Sequence, residues 1–206
     1  MKKKLFLMSI PAVLLLASCG AHSQAVKANI RATAKYYYEY ESFTVRVLDN
    51  NASGTWANSL YEFDHGKFKI SAEGAEDQFY QLQKKGNAKS YFESETATKF
   101  VKAGDEWTKE EINIPAELNK FKDGAESLFK ITNEAALLEW KKDENDLYST
   151  HASYGEYTVD MKVTFNADKL VDKFYVDGSS SSGSLSLELG FSEYGTTVVT
   201  LPEVAE

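Results

Sequence analysis

The chain has 206 residues, a formal net charge of -8, 43% hydrophobic and 26% charged residues. That balance belongs to a globular chain, not a disordered one, and the length allows one domain or two small ones. A single cysteine excludes a disulfide framework and a Cys-rich zinc site. The acidic balance speaks against a nucleic-acid partner, which needs clustered Lys and Arg.

The chain opens Met1-Lys2-Lys3-Lys4, a basic start, followed by an apolar run from Leu5 to Ala17. The run matches the core of an export signal and is too short for a bilayer-spanning helix, which takes roughly 20 apolar residues. It ends Leu16-Ala17-Ser18-Cys19. This resembles the bacterial lipobox, in which a Leu and two small residues precede an invariant Cys. The resemblance implies a lipoprotein signal peptide over residues 1–18, cleavage before Cys19, and acyl chains of the palmitate kind attached there. Each buried acyl methylene contributes about 0.8 kcal/mol, and stable anchoring takes two or more chains. The expected location is extracytoplasmic, anchored to a bacterial membrane: the outer face of the cell membrane, or the outer membrane if the host has two. Gly20 after the cysteine is not the Asp type of inner-membrane retention signal.

Residues 19–27 read as a lipidated tether and 28–206 as a single domain. Val26, Ile30, Ala34 and Tyr37 recur at helical spacing, which predicts an amphipathic helix over 25–40. Alternation of apolar and polar residues then dominates, with Phe43, Val45 and Val47 on one strand face. Further strands are expected at Thr55 to Phe63, around Phe68 and Ile70, at Phe79 to Lys84, at Tyr91-Phe92 and at Phe100-Val101. Turn signals stand at Asp64-His65-Gly66 and Gly104-Asp105.

At Pro115 the period changes. Leu118, Phe121, Ala125, Leu128 and Phe129 fall on one face of a predicted helix, which must bury its stripe against a sheet. Alternation resumes at Leu138 and Trp140. It is clearest where Tyr157, Val159, Met161, Val163 and Phe165 interleave with polar residues. Leu170 to Val176 follows, then Asp177 to Gly183 as a hairpin loop, Leu185 to Phe191, and a last short strand from Val198 to Leu201 ended by Pro202.

Little in the sequence speaks for catalysis. The histidines, His22, His65 and His151, have no ligand spacing, and the hydrolase and zincin motifs are missing. Asp143-Glu144-Asn145-Asp146 lacks the pattern of an EF-hand loop and reads as a solvated turn. The expectation is no enzyme, no metal and no cofactor. The many aromatic residues read mainly as core, with Tyr36, Tyr38 and Tyr40 the candidates for exposure.

Residues Phe191 to Pro202 read F-S-E-Y-G-T-T-V-V-T-L-P. An F-x-x-Y-G followed by a short extended run and Pro resembles the C-terminal end of the LolA/LppX-like lipoprotein superfamily. The order of leading helix, meander, inserted helix and second meander is similar as well. The resemblance implies a mainly β (α+β) fold: a curled antiparallel sheet, or half-barrel, with helices covering its concave face. It also implies an apolar cavity for acyl chains. Leu118, Phe121, Leu128 and Phe129 are then the candidate ligand-binding residues, facing the cleft from the inserted helix. The expected function is a membrane-anchored lipoprotein that binds or carries a lipid or other apolar ligand. The alternative is an extracellular interaction module, such as a sensor, assembly factor or adhesin, with a filled core.

Overall fold

The computed structural model describes residues 23–33, 42–49, 58–84, 86–88, 91–114, 139–154, 157–181 and 183–204. Cys19, Tyr36, Tyr38, Tyr40 and the predicted helix carrying Leu118, Phe121, Leu128 and Phe129 lie outside them.

The described residues form a mainly β structure with one α-helix, α1 (residues 23–33), and a single 3-10 turn at Tyr91–Glu93. The strands are β1 (Ser42–Asp49), β2 (Asn58–Asp64), β3 (Lys67–Ala72), β4 (Gln78–Leu82), β5 (Thr96–Ala103), β6 (Glu106–Asn113), β7 (Lys141–Lys142), β8 (Tyr148–Tyr154), β9 (Tyr157–Phe165), β10 (Val171–Ser180) and β11 (Gly183–Ser192). They make one open antiparallel sheet in the order β6-β5-β4-β3-β2-β1-β11-β10-β9-β8-β7. Two meanders, β1–β6 and β7–β11, thus meet where the first strand pairs with the last. The connection from β6 to β7 joins opposite edges of the sheet.

Register follows from side-chain alternation. Residues directly opposite share a face, so a one-residue slip would turn the apolar set to water. Phe43 faces Phe63, Phe63 faces Phe68, and Phe68 faces Tyr80 across β1 to β4. All four are at most 2% exposed. Their rings stack at 5.7 Å (Phe43–Phe63) and 5.8 Å (Phe63–Phe68), separations typical of favourable aromatic pairs. The inner face continues through Val45, Phe191, Phe174 and Val163 to Met161 on β9. Val26 and Ile30 of α1 join this core, at 0% and 2% exposure. Burying each contributes about 1.5–3 kcal/mol.

Turn chemistry matches the sequence. His65 and Gly66 both have positive φ in the two-residue β2–β3 hairpin, the geometry that fits strand twist. Glycine is required at 66. A Cβ there would lie 2.6 Å from the Tyr91 ring and 2.9 Å from the Leu82 carbonyl oxygen. Two longer loops repeat one design. Asp143 Oδ1 accepts from the amides of Asn145 and Leu147, and Asn166 Oδ1 from those of Asp168 and Leu170. A left-handed residue, Asp146 or Lys169, completes each loop.

The structure corrects five sequence expectations. Helix α1 already includes residues 23–27, so that part of the predicted tether is helical, with Ser23 and Val26 buried. Tyr91-Phe92 is a 3-10 turn rather than a strand; the Tyr91 carbonyl accepts from Ser94 N–H instead of a ladder partner. Trp140 precedes β7 rather than lying in it. The run 177–183 is not a loop. The ladder continues to Ser180 opposite Gly183, since its hydrogen bonds are made by backbone groups that Ser and Gly carry like other residues. The C-terminal run after Tyr194 forms no ladder.

That last segment is a strap held on the outer face by backbone and side-chain hydrogen bonds. Gly195 N–H donates to the Ser42 carbonyl (2.8 Å), Ser42 Oγ to the Thr197 carbonyl (3.1 Å), and Val199 N–H to Asp64 Oδ2 (3.2 Å). Partial burial pushes the Asp64 carboxyl up, but the His65 hydrogen bond, the Val199 amide and Lys67 outweigh it and hold it below the usual range.

Candidate functional site

Packing is graded along the inner face. At the end built from Phe43, Phe63, Phe68 and Tyr80 it is closed. Toward the other end the same face carries Val47, Val159, Val176, Leu187 and Leu189, all only half-buried. Register places Met161 opposite Val176 and Val176 opposite Leu187. Here the long β10–β11 hairpin ends in Ser and Gly, which bring little side-chain bulk. An apolar face that is packed at one end and half-open at the other is suited to apolar ligands.

The β7–β8 side of this face differs chemically. Thr150 lies opposite Met161 and is buried, at 8% exposure. Lys141 pairs with Ser149, and that register carried one residue back sets Trp140 opposite Thr150. Trp140 is 0% exposed. Its backbone N–H donates to Ser23 Oγ (3.0 Å), tying this edge to α1. Its indole Nε1–H has no hydrogen-bond partner among the described residues. An orphaned buried donor costs about 1–3 kcal/mol. In sequence Trp140 reads as a plain strand residue and Thr150 carries no signal. Nothing local marks either, since an unmet donor exists only once the surrounding chain is in place.

Three groups from distant segments meet at the β10 bulge. Val171 pairs with Phe165 but Lys173 with Thr164, which leaves Asp172 as an extra residue. The Val171 N–H donates to Thr33 Oγ1 of α1 (2.9 Å), and Tyr194 Oη–H donates to the Val171 carbonyl (2.8 Å). Burial pushes the Tyr194 phenol well above the ordinary tyrosine range; Asp172 adds to this, and the Thr33 hydroxyl offsets only part. The Tyr of F-x-x-Y-G is therefore a structural pin.

The outer face carries two shallow polar clefts. One, of about 450 Å³, includes Lys141, Ser149, His151, Asp160 and Lys162 in its lining. The other, of about 400 Å³, lies over Gly190 between Arg46 and Lys173. His151 and His65 each hydrogen-bond a neighbouring aspartate, at 2.8 Å, and are exposed. Among the described residues no group of three or more His, Cys, Asp or Glu is arranged to hold a metal ion. Glu110 and Glu111 alternate on the exposed edge strand β6, and Asp143 to Asp146 is the exposed turn expected. No described helix is long and apolar enough to cross a membrane. Cys19, Leu118, Phe121, Leu128 and Phe129, the sequence-predicted site residues, lie outside the described residues.

No family model matches the chain. No curated protein matches it either. Among solved structures, the crystal structure of Mycobacterium tuberculosis lipoprotein LppX is similar at 11% sequence identity and a TM-score of 0.44, over 85% of this chain and 98% of that chain.

Proposed function

We propose that this protein is a membrane-anchored extracytoplasmic lipoprotein that binds or carries a lipid or another apolar ligand, and that it catalyses no reaction. The inner face supports this reading, being apolar from β4 to β9 and half-open at the β10–β11 end. The carrying observation is topological. Ile114, after β6, and Trp140, before β7, both pack in the inner core, yet these strands are the opposite edges of the sheet. The chain between them starts and finishes on the inner side.

In this reading the half-open stretch of the inner face around Val176 and Leu187 receives the apolar part of the ligand. The lipobox-like leader supplies the anchor at Cys19, and partners other than the membrane and the ligand are not required.

Native mass spectrometry of the full chain, gently purified from a bacterial host, tests the reading. The expected result is an adduct that solvent extraction removes and that proves to be a lipid. A clean mass, with no uptake from added vesicles, would overturn it and favour an interaction module with a filled core.

A further inference from the structure

The inner face holds a feature that a purely apolar ligand would leave unexplained. Trp140 is wholly buried and its indole N–H has no acceptor among the described residues. Native proteins pair nearly all such groups, so an unmet one calls for a missing partner. Thr150 stands beside it, buried, and none of the hydrogen bonds among the described residues uses its hydroxyl. From this corner the inner-face row runs Thr150, Met161, Val176, Leu187: the first two are buried, at 8% and 1% exposure, and the last two half-buried. The unmet donor therefore sits at the deep end of a row whose other end is open.

We propose that Trp140 Nε1–H donates to an acceptor oxygen carried inside the ligand's apolar part, the ester carbonyl of an acyl lipid, with the Thr150 hydroxyl as a second donor. This deepens the carrier reading and rests on it. A hydrocarbon would leave the indole orphaned. A free fatty acid offers an acceptor but brings a charge. The buried polar side chains among the described residues are Ser and Thr alone, and Lys142, which register sets on the same face opposite Tyr148, is already paired with Asp146, so neither offsets a buried carboxylate. A neutral ester meets the donor without that penalty. The interaction is non-covalent and moves no proton.

The test compares dihexanoyl phosphatidylcholine with its dihexyl ether analogue. Each is titrated calorimetrically into the full chain, wild type and Trp140→Phe. The pair differs in the carbonyls, so any contribution from the apolar leader cancels. The wild type is expected to bind the diester about tenfold more tightly, the loss anticipated when one buried donor goes unmet. Trp140→Phe should bind both lipids at the diether level, and Thr150→Val should narrow the preference. Equal affinity of the wild type for the two lipids would overturn the inference and leave the carrier reading standing, and it requires no variant to fold. A preference that persists in a folded Trp140→Phe protein would do the same. Binding of neither lipid would remove both.

Discussion

Tyr194 shows how one side chain joins three parts of the molecule. Its hydroxyl donates to the Val171 carbonyl at 2.8 Å, beside Thr33 of α1. Tyr194→Phe keeps the ring and removes that bond, and should cost about 1–2 kcal/mol in urea unfolding at pH 7. The effect should depend on pH in a defined direction. Burial raises the folded-state pKa above the ordinary tyrosine value of 10.0. The folded phenol thus keeps its proton where the unfolded one has lost it. The contribution is fully present below the unfolded pKa and is lost as pH rises from there toward the folded value. The gap between wild type and Tyr194→Phe should therefore shrink between neutral pH and pH about 11. Parallel stability curves across that range would mean that the hydroxyl is not buried as described.

At the scale of elements, α1 is held by hydrophobic contact and by two polar pins. Val26 and Ile30 supply the contact. Ser23 Oγ accepts from Trp140 N–H, and Thr33 Oγ1 accepts from Val171 N–H while donating to the Asn29 carbonyl at 2.9 Å. The second pin explains why the bulge at Asp172 is tolerated: two side chains take up the Val171 backbone groups. Thr33→Val preserves shape and leaves the Val171 amide unpaired in a buried site. It should destabilise the protein by about 1–3 kcal/mol, while Thr33→Ser should keep most of the stability. Denaturant midpoints of the two variants check this. Equal losses would assign the role of Thr33 to its methyl group.

The whole molecule depends on a pairing that the chain completes last. β1 and β11 meet at the centre of the sheet, although one follows the leading helix and the other precedes the C-terminal strap. Such non-local pairing is slow to form. The edges are held far less well. β7 pairs over two residues, and β6 is mostly exposed and charged, which discourages edge-to-edge association. Amide exchange should accordingly be slowest in β1, β2, β10 and β11 and fastest in β6 and β7. Mass-spectrometric hydrogen exchange resolves these segments. Equal protection of β6 and β1 would indicate a partner strand on the β6 edge.

Local signals in the sequence fix the strands, most of the turns and the leading helix. Phe43, Val45 and Val47 alternate in sequence and line the core in space, and Tyr157 to Phe165 is a strand over the range expected, because period-two burial is written in neighbouring residues. His65-Gly66 and Asn166 carry their turn geometry in their own chemistry. Long-range pairing is not written that way. Ser179 and Ser180 look like loop residues and form a ladder; Val198 and Val199 look like a strand and form a strap, because an amide's partner depends on which distant segment lies beside it. The same holds for the site. Sequence alone determined an acidic, mostly antiparallel chain with a lipobox-like leader and an amphipathic segment between two meanders. Only the tertiary structure decided that the meanders meet through β1 and β11, that residues 114 and 140 stand at opposite edges of one inner face, and that Trp140 is buried with its donor unmet, since each of these is a relation between segments far apart in the chain.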